Sequence, residues 1–116
     1  MFEEFYKLGL ENYKNNEIQL AIINFKKCVE LEPTNYKSYF QLGLIYFNGN
    51  NFSEAFDSFS KTINYNKEYI PAHVNIGLIY LTNGYLIDAI EKFKHAINLD
   101  SDYEKALIYL ALCYKN

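Results

Sequence analysis

The chain of 116 residues is half apolar and 22% charged, a composition typical of a folded domain rather than a disordered segment. Its net charge of −3 combines 14 acidic residues with 11 basic ones, and every basic residue is a lysine. Because base and phosphate recognition relies on the arginine guanidinium, an acidic chain without arginine is not expected to bind nucleic acid.

Apolar residues recur with helical spacing along the whole chain, and clusters of Asn, Gly, Pro and Asp interrupt them. Asn15-Asn16, the run 48–51 and Asn83-Gly84 are expected turns, and Pro71 fits the first turn of a helix. The pattern predicts seven helices, at residues 2–15, 18–31, 36–48, 52–65, 70–82, 86–99 and 104–115.

The same residues return every 34 positions, which indicates an internal repeat. Three columns show this period without a phase slip. They are Gly9, Gly43 and Gly77; Ala21, Ala55 and Ala89; and Phe25, Phe59 and Phe93. The small residues leave room for two helices to approach closely, and the phenylalanine is expected to fill the space beside that contact. Stacked neighbours would then share one core.

These columns resemble the motif of the tetratricopeptide repeat. In the first repeat the matching residues are Phe5, Leu8, Gly9, Ala21, Phe25 and Pro33. The later repeats match in the same columns, with departures such as Asn12, Cys28 and His73. The resemblance implies an all-α fold, a right-handed α-solenoid of three 34-residue helix-turn-helix repeats plus a terminal helix. The repeats would be about 2–35, 36–69 and 70–103, followed by the terminal helix 104–116, in a single array over residues 1–116.

The two ends of this array are predicted to differ. Glu4 and Glu11 lie on the face of the first helix that would contact a preceding repeat. Because buried carboxylates are costly, the first repeat is expected to be a polar cap. The last helix keeps an apolar face that no second helix of its own covers, formed by Leu107, Leu110, Ala111 and Tyr114. Three explanations stay open: an excerpt of a longer array, pairing with a second copy through Leu107, Leu110 and Tyr114, or an apolar terminal helix that is simply tolerated.

No constellation for catalysis stands out, since the chain has no glycine-rich phosphate loop and no nucleophile motif. Cys28 and Cys113 are expected to be reduced, buried thiols, and no metal site or cofactor is predicted. His73 should be hydrogen-bonded or partly buried, and His95 should lie at the surface. The chain has neither a leader-like start nor an apolar stretch long enough to span a membrane, which predicts a cytoplasmic protein without membrane contact.

Binding is the predicted role. On the first helix of each repeat, one row of side chains is not needed for packing against the neighbouring helices. In tetratricopeptide repeats this row lines a concave peptide-binding groove. The predicted groove residues are Tyr6, Leu10, Tyr13, Phe40, Leu44, Phe47, Val74, Asn75, Leu78, Leu81, Ile108 and Leu112. Its rim would be Lys7, Lys14, Lys37, Gln41, Asn48 and Lys105. An apolar groove with a basic rim favours a protein segment with apolar anchors flanked by acids or a free carboxylate.

Some tetratricopeptide repeats hold the C-terminal carboxylate of heat-shock chaperones with a clamp of lysine, arginine and asparagine side chains. The matching columns here contain Tyr6, Leu10, Gln41, Pro71 and Asn75, so this clamp is not expected. The sequence therefore predicts a non-catalytic protein-interaction module. The alternatives are a recruiting or regulatory region of a larger multidomain protein or enzyme, and a self-associating assembly module.

Overall fold

The computed structural model describes residues 1–115, and all regular structure within them is α-helical. The helices are α1 (Phe2–Lys14), α2 (Ile18–Leu31), α3 (Tyr36–Asn48), α4 (Phe52–Tyr65), α5 (Ile70–Thr82), α6 (Leu86–Leu99) and α7 (Glu104–Lys115). Each predicted helix is present, and α1 ends one residue earlier than expected.

The chain divides into two compact units, of which the first, Met1–Tyr65, contains α1 to α4 and the second begins at Asn66. Helices that follow one another in each unit pack side by side, α1 with α2, α2 with α3, α3 with α4, α5 with α6 and α6 with α7. Within residues 1–115 no helix is both long enough and apolar enough to cross a membrane.

Local chemistry explains where the helices begin and end. The Asn35 side chain accepts a hydrogen bond from the Ser38 backbone N–H and so caps α3, while Pro71 stands in the first turn of α5. The tight turns after α1 and α3 contain Asn16 and Asn50 with positive φ angles of 61° and 63°, a conformation that asparagine tolerates better than most residues.

The first unit has its core where the repeat columns predict it. Phe25 and Phe59 are fully buried. A methyl group on Gly9 would meet the Phe25 ring at 2.7 Å, so the glycine is what permits the two helices to approach. Ala21 and Phe25 of α2 form a cluster with Leu42 of α3, which ties the two helix pairs of this unit together.

The second unit repeats this arrangement. Phe93 is fully buried beside Gly77, and its ring stacks on Tyr109 of α7 with ring centres 5.7 Å apart. Ala89 and Ala106 belong to the same buried cluster. The predicted roles of the glycine, alanine and phenylalanine columns are therefore confirmed in both units.

Candidate functional site

In the first unit, the predicted groove row of α1 lies partly open to solvent. Tyr6 and Tyr13 are half-buried, and Leu10 between them is 39% exposed. The Tyr6 ring packs edge-on against Phe25, and the Tyr13 hydroxyl accepts a hydrogen bond from the Asn48 side chain of α3. These contacts hold both tyrosines in place, so that α1 presents a fixed aromatic and aliphatic surface.

The row continues on α3 with one correction. Leu44 and Phe47 are half-buried, as a surface row requires, but Phe40 is only 9% exposed. Its ring packs against the Phe59 ring at 5.6 Å between centres. Phe40 has no hydroxyl that must stay near water, unlike Tyr6 in the same column of α1, and burying its ring is favourable. Phe40 therefore supports the core and offers a ligand little surface.

Tyr6, Leu10 and Tyr13 of α1 and Leu44 and Phe47 of α3 together form the α1–α3 surface. Two recesses flank it. The first is a cavity of about 220 Å³ that Phe2, Glu3, Tyr6, Asn35 and Lys37 line. The second, of about 280 Å³, lies at the other end of α1. Its lining residues are Tyr13, Asn16, Ile18, Ile45, Asn48 and Gly49. The surface thus has recesses that could take side chains of an extended or helical segment.

Three lysines and one glutamate, Glu3, are the charged residues at the α1–α3 surface, since Glu4 and Glu11 belong to another face of α1. Lys7, Lys14 and Lys37 are exposed, and Gln41 is half-buried. The carboxylate of Glu3 is 2.9 Å from the Met1 amino group, and this hydrogen bond lowers the pKa of Glu3. The basic rim predicted for this part of the groove is therefore accessible.

The second unit contains its own part of the predicted row, again with one correction. Asn75, Leu78 and Leu81 are half-buried. On α7, the predicted groove residues Ile108 and Leu112 and the predicted rim residue Lys105 are exposed. Val74 is only 2% exposed. Its short branched side chain does not extend past the surface of α5 and joins the buried cluster around Phe93, so Val74 is a core residue.

The side chains predicted to form the two end faces of the array, on α1 and on α7, are open to solvent, apart from the half-buried Leu110. Glu4 and Glu11 are exposed. On α7, Leu107 and Tyr114 are 44% and 62% exposed, Ala111 is exposed and Leu110 is half-buried. An apolar surface is therefore present where the sequence predicts one.

The cysteines and histidines lie as expected, with one contact that the sequence did not reveal. Cys28 and Cys113 are free and buried, and burial raises the pKa of both thiols. His73 is buried and hydrogen-bonded to the Lys67 carbonyl, and burial lowers its pKa. His95 is exposed, yet its ring lies against the ring of His73 although 22 positions separate them.

Among the described residues, no group of three or more His, Cys, Asp or Glu side chains could hold a metal ion. The side chains that form the predicted groove and its rim are apolar, aromatic, amide or basic. Such a surface can bind another chain through burial of apolar side chains and through ion pairs.

Comparison with known families identifies the repeat. Two profiles described as tetratricopeptide repeat match the chain, one over residues 24–57 and the other over residues 5–35 and 70–103. The second alone covers more than half of the sequence. This chain belongs to the tetratricopeptide-repeat family. Its fold class is therefore the all-α helical solenoid that the columns predict. No curated protein sequence matches the chain significantly.

Solved tetratricopeptide structures share this fold. The first tetratricopeptide domain of Spaghetti (RPAP3), bound to the HSP90 peptide SRMEEVD, has a TM-score of 0.91 at 18% identity, over 98% of this chain and 90% of that one. The Arabidopsis OM64 domain has a TM-score of 0.91 at 18% identity, over 99% and 95%. MamA has a TM-score of 0.90 at 28% identity, over 98% of this chain and 67% of that one. The tetratricopeptide repeat is a protein-interaction fold, and one of these relatives binds a peptide.

Proposed function

We propose that this tetratricopeptide-repeat protein is a non-catalytic interaction module that binds a partner segment on the α1–α3 surface of its first unit. The partner segment would have apolar anchor residues flanked by acidic side chains or a free carboxylate. The observation that carries this proposal is the exposed Leu10, set between two fixed tyrosines and between two recesses.

The apolar side chains would supply most of the binding free energy. Leu10, Leu44 and Phe47 keep apolar area in contact with water that a ligand can cover. Tyr6 is held by the Phe25 ring and Tyr13 by the Asn48 amide, so binding would cost little additional side-chain conformational entropy. Aromatic residues of this kind are common anchors in protein interfaces.

The basic rim would select acidic ligands. Lys37 lines the same cavity as Tyr6, so a carboxylate there would meet an ammonium group beside an apolar wall. Glu3 also lines this cavity, but its carboxylate is paired with the Met1 amino group. Lys7 and Lys14 are exposed on α1. These charges accelerate association with an acidic segment and disfavour a basic one, within a protein of net charge −3.

Selection from a random peptide library tests the proposal, with affinities then measured by calorimetry. We expect the selected peptides to combine apolar and acidic residues. Leu10→Ser and Lys37→Glu should each weaken binding by about tenfold or more, since each 1.4 kcal/mol lost changes affinity by that factor. Helix content measured by circular dichroism should remain unchanged.

Matched variants on α2 provide the controls. Leu20→Ser makes the same change as Leu10→Ser at a side chain that is 49% exposed, and Lys26→Glu matches Lys37→Glu at another exposed lysine. Both should bind selected peptides like the unaltered protein. Selected peptides without acidic residues, no selectable peptide at all, or equal losses in the α2 controls would contradict the proposal.

A second candidate is self-association through α7, and the exposed Leu107 and Tyr114 favour it. Burial of these side chains between two copies would remove apolar surface from water. Sedimentation over a range of concentrations tests it: a shift to dimer that Leu107→Ser abolishes supports this candidate, and a monomer at all concentrations contradicts it.

A further inference from the structure

A basic side chain lies over a ring at the same register position in each helix pair. The second helix provides the basic residue and the first helix the ring. The pairs are Lys27 over Phe5 at 5.3 Å, Lys61 over Tyr39 at 5.6 Å, and His95 against His73 with ring centres 4.6 Å apart. Packing accounts for a ring and a basic group at this place. It does not account for two imidazoles in the third pair.

The hydrogen bond of His73 determines which ring nitrogen has a free lone pair. Its Nε2 is 2.8 Å from the Lys67 carbonyl oxygen. A carbonyl oxygen only accepts, so Nε2 has the proton and Nδ1 has the lone pair. That Nδ1 is buried and has no hydrogen-bond partner, in a side chain that is 4% exposed. A buried polar atom without a partner is unusual and costs free energy.

The hydrogen bond of His73 is one that metal-binding histidines also make. A histidine ligand commonly donates its other ring N–H to a backbone carbonyl, which fixes the orientation of the ring. Two imidazoles whose nitrogens each lie about 2.0–2.1 Å from a shared ion have ring centres roughly 4.5–5.5 Å apart. The ring centres of His73 and His95 are 4.6 Å apart, within that range, and the two ring planes meet edge-on at 62°.

The surroundings permit entry of an ion. His95 is exposed, so an ion can reach its imidazole from solvent. Burial lowers the pKa of His73, the hydrogen bond to the Lys67 carbonyl raises it, and the nearby Lys92 and His95 lower it. The nearby ammonium group of Lys92 opposes a cation at this place.

We propose that His73 Nδ1 and the imidazole of His95 together bind one divalent transition-metal ion of the zinc and copper class, with water completing its coordination. Imidazole is a preferred ligand of these metals, and Cu²⁺ should bind more tightly than Zn²⁺. The bound ion would join α5 to α6 and stabilise the second unit against unfolding. This proposal is independent of the peptide-binding function.

The test is titration of the full chain, without an affinity tag, with Zn²⁺ alone. Calorimetry should give one ion per chain, and the ¹⁵N resonance of His73 Nδ1 should shift rather than that of Nε2. The melting temperature should rise with Zn²⁺ concentration. The same titration with Cu²⁺ should show tighter binding.

The chain itself offers matched variants. His73→Phe and His95→Lys install the residue types that the first helix pair has in these columns, Phe5 and Lys27. His73→Phe also removes the hydrogen bond to the Lys67 carbonyl. Each should weaken Zn²⁺ binding by about tenfold or more. Because His95 is exposed, His95→Lys decides the test even if His73→Phe destabilises the fold. Binding that His95→Lys leaves unchanged, or no binding at about 1 mM Zn²⁺, would overturn the proposal.

Discussion

Replacement of Gly77 by alanine tests whether the glycine column exists to let a phenylalanine ring pack against a helix. The new methyl group would lie 2.6, 2.9 and 3.0 Å from three atoms of the Phe93 ring. Carbon atoms pack at about 3.5–4.0 Å, so the ring would have to move by about 1 Å. Phe93 is fully buried and stacked on Tyr109, which blocks such a movement.

The expected cost follows from two opposing effects. Overpacking costs about 1–3 kcal/mol, and about 2–3 kcal/mol is expected here because the ring cannot move aside. The higher helix propensity of alanine offsets about 1 kcal/mol. A net loss of about 1–2 kcal/mol in the free energy of unfolding is expected in urea titrations monitored by circular dichroism. Phe93→Leu in the same chain should remove part of that loss, because the smaller side chain vacates the space.

Gly49 is the control, since a methyl group there would meet its nearest atom at 3.5 Å with a negative φ of −91°. Gly49→Ala should therefore be neutral or slightly stabilising. If Gly77→Ala is as stable as the unaltered chain, or if Phe93→Leu and Gly77→Ala lower stability additively, the packing explanation of the glycine column is wrong.

Three further predictions concern the first unit and the thiols. Phe40→Ser should cost about 3 kcal/mol or more of unfolding free energy in urea titrations because the ring is core, whereas Leu10→Ser should cost less than about 1 kcal/mol, and equal costs would contradict their assignment. Asn35→Ala removes the cap of α3 and should cost about 1 kcal/mol by the same measurement, which Asn35→Ser should largely restore. Cys28 and Cys113 should react with a thiol reagent far more slowly in the native protein than in urea, because burial disfavours the reactive thiolate; fast native reaction would refute their burial.

The helices and the core could be predicted because both depend on spacing. Helical periodicity places the seven helices, and the period of 34 identifies Gly77 and Phe93 as partners before any contact is known. The contact itself follows from the small side chain opposite a large one. Departures at the ends are slight, since Asn15 and Asn16 form the turn that ends α1 one residue early.

The candidate site was harder to predict because spacing gives a face of a helix but not the depth of each side chain. Phe40 and Val74 occupy the same column as Tyr6, yet these two apolar side chains are buried while the tyrosine stays half-buried. The contact of His73 with His95 joins two helices, so no spacing along one helix could reveal it. The signal was present in the register, because the corresponding columns hold a ring and a lysine in the other helix pairs.

The most direct test of the binding surface is a map of amide chemical shifts by NMR as a library-selected acidic peptide is added to the chain. We predict that the shifts concentrate at the start and middle of α1 and on α3, with the largest changes near Leu10, Lys37 and Leu44. Amides around Leu20 on α2 should remain in place. Shifts that concentrate on α2 or α4 instead would contradict the proposed site, whatever the affinity of the peptide.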